Sequence, residues 1–116
     1  IFPEKIYSDE SVINEFLKKR HELEFELRSE GYWTSDYDFE ELKFNPSFDN
    51  FLYKRVGRNM LSLVTSGMFI RPYASVSLRE YFATGFEAYY LGKKDSLEKI
   101  SPLLYDKINS LHNFGR

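Results

Sequence analysis

The chain contains no cysteine and only two histidines, His21 and His112, in 116 residues. The first absence excludes a disulfide framework, a thiolate metal site and a cysteine nucleophile. The second limits imidazole chemistry, because the two histidines lie too far apart in sequence to form a local pair. Excess charge is scarce too. Sixteen Lys and Arg stand against eighteen Asp and Glu, for a net charge of −2, which removes the electrostatic basis for a dedicated nucleic-acid or anionic-membrane binder. No apolar run approaches the ~20 residues that cross a bilayer; the longest is interrupted by Ser, Thr and Gly around residues 60–70. The opening IFPEKIYSDE lacks the basic-then-apolar order of a signal peptide. Internal repeats and Gly/Ser-rich or Pro-rich linkers are missing as well. Aromatic side chains are abundant instead, at 18% of residues within a chain that is 42% apolar and 29% charged. That mixture excludes disorder and indicates one folded unit over residues 1–116.

Periodicity makes the unit mainly α, a compact array of about five helices. Residues 8–30 read as a helix capped by Ser8 or Asp9, with apolar residues at Val12, Ile13, Phe16, Leu17, Leu23 and Leu27 and a stop at Gly31. Residues 32–46 are aromatic and acidic without clean period and read as loop. They and the Phe69-Ile70 segment leave the only room for a short strand. Ser47 opens a helix through Val56, interrupted at Gly57, and a further stretch from Asn59 to Ser66 stops at Gly67. Pro72 marks a turn. Ser77 starts the clearest helix, LREYFATGFEAYYL, closed by Gly92. Asp95 or Ser96 caps a short one, and Ser101-Pro102 starts the last with proline at its favoured first position.

Most chemistry-bearing residues have plain structural readings. His21 begins HELEF, but Phe25 stands where a second zinc-binding histidine of His-Glu-x-x-His would be, so His21 reads as a surface histidine. His112 falls in the C-terminal tail. Lys18-Lys19-Arg20 precedes Glu22, Glu24 and Glu26 and reads as a solvated, intrahelically paired face. The acidic stretch of Asp36, Asp38, Glu40 and Glu41 lacks the alternation and the glycine of a calcium loop. Ser77 and Glu80 have capping-box spacing, with Leu78, Tyr81, Phe82, Phe86 and Tyr89 as core positions and Gly85 as a point of close helix approach.

One segment carries more than this. Tyr73, six intervening residues and then Glu80-Tyr81-Phe82-Ala83 with Phe86 resemble the closing half of the active site in the anthrax lethal factor-like zinc metallopeptidases, which are gluzincins. The resemblance covers roughly residues 47–111, is closest over 71–92, and extends to Ser101-Pro102, Tyr105 and Ile108, where that family has a proline-led helix. It implies the C-terminal helical half of a zincin peptidase domain. Glu80 is then the third zinc ligand, leaving one position open to water, and Tyr73 is the catalytic hydroxyl that donates to the developing oxyanion. The family places an acidic residue four positions after the glutamate to orient a histidine; Thr84 stands there. Glu87, seven positions after Glu80 on nearly the same helix face, is either a partial substitute or a surface glutamate.

The same resemblance implies a partner, namely an upstream segment of the same protein. That segment supplies the sheet, the His-Glu-x-x-His helix and most of the cleft for a peptide or protein substrate, with Ile1 as the junction. Zinc is expected only with those outside ligands, and the 116 residues alone are not expected to cleave peptide bonds. The alternative is a non-catalytic helical binding or structural module, such as the zinc-free copy in lethal-factor-type toxins or a phage-particle component. A third reading is an unrelated helical interaction domain. A structure with Glu80 closed into a capping box, pointing away from any cleft and from Tyr73, favours it.

Overall fold

A computed structural model describes residues 3–114; Ile1, the expected junction, lies outside them. The described chain is helical throughout its regular structure, with no strand among the described residues. Its elements are α1 (Glu4–Tyr7), α2 (Glu10–Ser29), α3 (Pro46–Asn50), a π-helical turn (Phe51–Val56), α4 (Arg58–Val64), a 3-10 turn (Pro72–Ser75), α5 (Leu78–Tyr90), α6 (Lys94–Ile100) and α7 (Pro102–Phe114). The mainly helical expectation holds. Among the described residues there are seven α-helices where about five are expected; α1 lies ahead of the expected first helix, and the interruption at Gly57 falls where the sequence places it.

Helix starts follow local chemistry. Asp9 caps α2 by accepting from Ser11 N at 2.9 Å. Ser77 caps α5 by accepting from Glu80 N at 3.1 Å. Two expected caps are displaced. Asn45, not Ser47, caps α3, accepting from Ser47 N and Phe48 N with Pro46 in the first turn, because an Asn-Pro pair combines a good acceptor with a preset φ. Helix α6 begins after Lys93 with no side-chain cap, and Asp95 and Ser96 fall inside it. The π-helical turn continues α3 with a wider ring, closed by Gly57 N donating to Leu52 O at 3.0 Å. Gly57 then takes φ 88°, a region that β-carbons disfavour.

Helix α2 connects two apolar clusters. Its N-terminal half packs Val12 and Phe16 against Tyr81, Phe82, Leu104 and Ile108 of α5 and α7. Its C-terminal half packs Leu23 and Leu27 against Phe48, Phe51, Leu52 and Leu61. Between them sits Arg20, 1% exposed and the largest fully buried side chain. Its guanidinium lies 4.7 Å from the ring centre of Phe16, in the first cluster, and 4.4 Å from that of Phe48, in the second. Nε donates to Ser75 O at 2.6 Å, Nη2 to Val76 O at 3.0 Å, and Nη1 to Phe39 O at 3.0 Å and Glu41 O at 3.2 Å. The solvated reading of Lys18-Lys19-Arg20 is therefore corrected at Arg20. It also fails for Lys19, whose Nζ reaches Ile100 O at 2.7 Å. Both cations are used to satisfy backbone carbonyls where the chain is irregular or a helix ends.

Helices α5 and α7 meet at Gly85, as its lack of a side chain suggests. A β-carbon there would stand 2.4 Å from Leu104 Cδ2 and 3.3 Å from Ile108 Cδ1. Both neighbours are buried, so neither can swing aside. Gly85→Ala is expected to lower stability by about 1–3 kcal/mol through overpacking, outweighing the ~1 kcal/mol by which alanine favours a helix interior. Urea titration with a shifted midpoint and unchanged slope is the measurement; an unchanged midpoint refutes the close approach. No helix among the described residues is long and apolar enough to cross a membrane.

Candidate functional site

Tyr73 and Glu80 approach each other through the turn between them. Tyr73 lies in the 3-10 turn, Glu80 in the first turn of α5, and the buried residues Ala74 to Leu78 join them. Two ties fix that link. Arg20 holds the carbonyls of Ser75 and Val76, and Leu78 N donates to Leu42 O at 2.8 Å. The loop carrying Phe39, Glu41 and Leu42 and the start of α5 are thus anchored to one side chain of α2.

Both residues line one cleft of about 600 Å³, whose other walls include Tyr7, Leu42, Phe44 and Leu78. Only half of the Ser77–Glu80 capping box forms. Ser77 takes the Glu80 amide, but no hydrogen bond or ion pair among the described residues engages the Glu80 carboxylate. Burial raises the pKa of the Tyr73 hydroxyl, and the charges of Glu80 and Asp49 raise it further. Tyr73 is therefore a protonated donor at neutral pH, beside a carboxylate.

The remaining expected site residues sit elsewhere. Thr84 is buried, and its hydroxyl donates to Tyr81 O of its own helix at 3.1 Å. Glu87 is half-exposed and ion-paired with Arg71. His21 is exposed and 3.1 Å from Glu40 Oε2, while His112 lies on α7, with Nδ1 2.9 Å from the Tyr90 hydroxyl. No group of three His, Asp or Glu side chains among the described residues is placed to hold a metal ion. Glu80 is a single potential donor, so the residues present do not by themselves fit a zinc site.

Tyr73 also borders a second cleft of about 570 Å³, on the side of the π-helical turn, together with Asp49, Tyr53, Arg58, Ser62 and Arg71. The Tyr53 and Tyr73 rings are 6.0 Å apart, centre to centre. Burial and the charge of Asp49 push the Tyr53 hydroxyl up to about 12. Sequence reasoning missed Asp49 and Tyr53. They border Tyr73 in this second cleft, Asp49 from the end of α3 and Tyr53 from the wide turn after Asn50, and no composition signal announces a π-helix. No family model, curated protein or solved structure matches the chain.

Proposed function

We propose that this chain is the zinc-glutamate half of a lethal-factor-like metallopeptidase, inactive without an upstream His-Glu-x-x-His segment. The observation that carries the reading is the shared cleft: Tyr73 and Glu80 line the same walls, and the Glu80 carboxylate is committed to no hydrogen bond or ion pair among the described residues. A capping box closed from both sides would commit that carboxylate to the start of α5, and here only the serine's half is formed. In this reading Glu80 holds the metal as one of three protein ligands. When bound, the metal would supply an activated water and polarise the scissile carbonyl. This chain's own contribution is narrower. Ser77 and the Arg20 clamp fix the start of α5, and Tyr73 presents a hydroxyl that stays protonated and can donate to an oxyanion. Peptide or protein is the substrate class.

The test is metal content. The 116 residues should bind zinc weakly and cleave no peptide. The protein joined to its upstream segment should retain stoichiometric zinc by elemental analysis, and Glu80→Ala should remove it while leaving the helical circular dichroism unchanged. Stoichiometric zinc in the Glu80→Ala protein sinks the assignment. One observation favours a second reading, a zinc-free binding module of the same ancestry: Thr84 and Glu87 are both engaged elsewhere, so neither orients a histidine. That module would form a stable partner complex indifferent to chelator.

A further inference from the structure

The near-balanced charge of the whole chain conceals an uneven distribution. Residues 50–79 carry Lys54, Arg55, Arg58, Arg71 and Arg79 and no aspartate or glutamate, whereas the remainder sets eleven bases against eighteen acids. The second cleft opens in this basic stretch, and its walls set Arg58 and Arg71 against Asp49 alone. Part of that carboxylate is withdrawn from the cleft, since Asp49 Oδ1 is buried. Arg58 is exposed and makes no hydrogen bond or ion pair among the described residues. Arg71 is ion-paired with Glu87, which stands outside the cleft walls, and a half-exposed pair of this kind is weak in water. Hydroxyls of Tyr53, Ser62 and Tyr73 complete the polar lining. Burial pushes the Tyr53 pKa up to about 12, so that phenol is a donor at neutral pH. The two tyrosine rings, 6.0 Å apart, supply apolar surface. Two arginines against one aspartate leave one positive charge, surrounded by donors. The complement of such a lining accepts hydrogen bonds, carries a single negative charge and has a short apolar stem. A lysine side chain faces two guanidinium groups, a leucine leaves the donors unanswered, and a phosphate dianion brings one charge too many. A carboxylate on a methylene stem meets all three requirements.

We propose that this cleft is a subsite for the carboxylate side chain, glutamate or aspartate, of a bound peptide whose main chain passes Tyr73. Tyr73 is common to this cleft and to the one that holds Glu80, so a peptide lying beside Glu80 presents a neighbouring side chain here. Arg58 is the principal contact, because a guanidinium donates two parallel hydrogen bonds to a carboxylate, and Arg71 is the second cation within the walls. The proposal deepens the peptidase reading by naming a substrate feature, and it rests on the peptide-binding part of that reading and not on zinc.

The experiment titrates the metal-free chain by NMR with capped alanine pentapeptides carrying one central glutamate, glutamine or lysine. Phosphate and chelator are left out as competing anions, and the ionic strength is set near ~0.15 M, where charges more than about 8 Å apart are largely screened. Glutamine is the uncharged isostere of glutamate, so that comparison isolates the charge. The glutamate peptide should bind at least about tenfold tighter than the other two, with shifts centred on Tyr53, Arg58 and Tyr73. Arg58→Gln should bring it to the level of the glutamine peptide, and Arg58→Glu should move the preference to lysine. Arg58 is exposed, so both variants should keep the circular dichroism of the parent. Lys54→Gln removes a cation of the same stretch that lines a different cleft, and should change the glutamate affinity less than about twofold. Glutamate and glutamine peptides of equal affinity, no binding of the glutamate peptide at millimolar concentration, a loss from Lys54→Gln as large as that from Arg58→Gln, or inorganic phosphate binding more tightly at the same resonances overturns the proposal. Equal affinities with shifts at Tyr73 and Glu80 would remove the subsite and leave the peptide cleft standing. Because no metal is present, the zinc assignment is judged separately, by the metal content of the longer protein.

Discussion

Replacing Arg20 by alanine is expected to lower stability by about 4–5 kcal/mol, close to the whole stability of a small domain. The loss has two sources. Four carbonyl acceptors, at Phe39, Glu41, Ser75 and Val76, lose donors from a charged group, at roughly 1.5–3 kcal/mol for a strong hydrogen bond of that kind; the effects are not additive. The cavity between Phe16 and Phe48 adds a packing term. Variants separate the two. Arg20→Met restores most of the volume but none of the donors and should remain within about 1 kcal/mol of alanine. Arg20→Lys keeps the charge but not the planar fork, and should recover less than half of the loss. Circular dichroism during urea titration reports all three, and a methionine variant as stable as the parent would show that the guanidinium serves only as filler. Burial lowers the pKa of Arg20 to about 10, so it remains charged at neutral pH and all of these comparisons concern the protonated form.

Glu15→Ala is expected to cost about 3 kcal/mol, from the loss of three hydrogen bonds to one carboxylate. Glu15 Oε1 accepts from the Tyr81 hydroxyl at 2.6 Å and from Leu104 N at 3.1 Å, and Oε2 accepts from Leu103 N at 2.8 Å. The carboxylate of α2 thereby caps α7. The residue that sequence reasoning assigns to that start, Ser101, instead shares a hydrogen bond with Tyr81 at 2.9 Å. Burial and the adjacent Glu15 charge hold the Tyr81 hydroxyl far above its ordinary pKa, so it is a donor throughout the pH range in which the protein would be studied. Glu15→Gln keeps one acceptor oxygen and should cost less than alanine. In a double-mutant cycle with Tyr81→Phe, a coupling of about 1 kcal/mol or more is expected, whereas additive losses would mean that the contact contributes nothing of its own.

What sequence reasoning reached and what it missed divide along a physical line. The caps at Asp9 and Ser77 and the close approach at Gly85 depend on a few neighbouring residues or on one missing side chain. The spacing of Tyr73 and Glu80 is similarly local, so their presence at one cleft could be anticipated from the turn between them. Arg20 depends on carbonyls nineteen to fifty-six positions away. Its burial nevertheless left a trace: the buried positions of α2 run Val12, Phe16, Arg20, Leu23, Leu27, a continuous helical stripe with a cation in one place. Reading the charge before the period put that residue in solvent. Asp49 and Tyr53 left no such trace, because their convergence on Tyr73 follows from an irregular helix turn and from tertiary packing.

The Arg20 clamp also makes an uneven demand on sequence change. Its hydrogen-bond acceptors are main-chain carbonyls, which every amino acid supplies, so substitutions at Glu41, or at Ser75 where volume is kept, leave the acceptors in place. The donor has no such freedom, since no other side chain offers a planar fork of this reach. Among descendants of this chain the acceptor segments can therefore drift in sequence while position 20 remains arginine, and a change at position 20 would have to arrive together with a rebuilt turn ahead of α5.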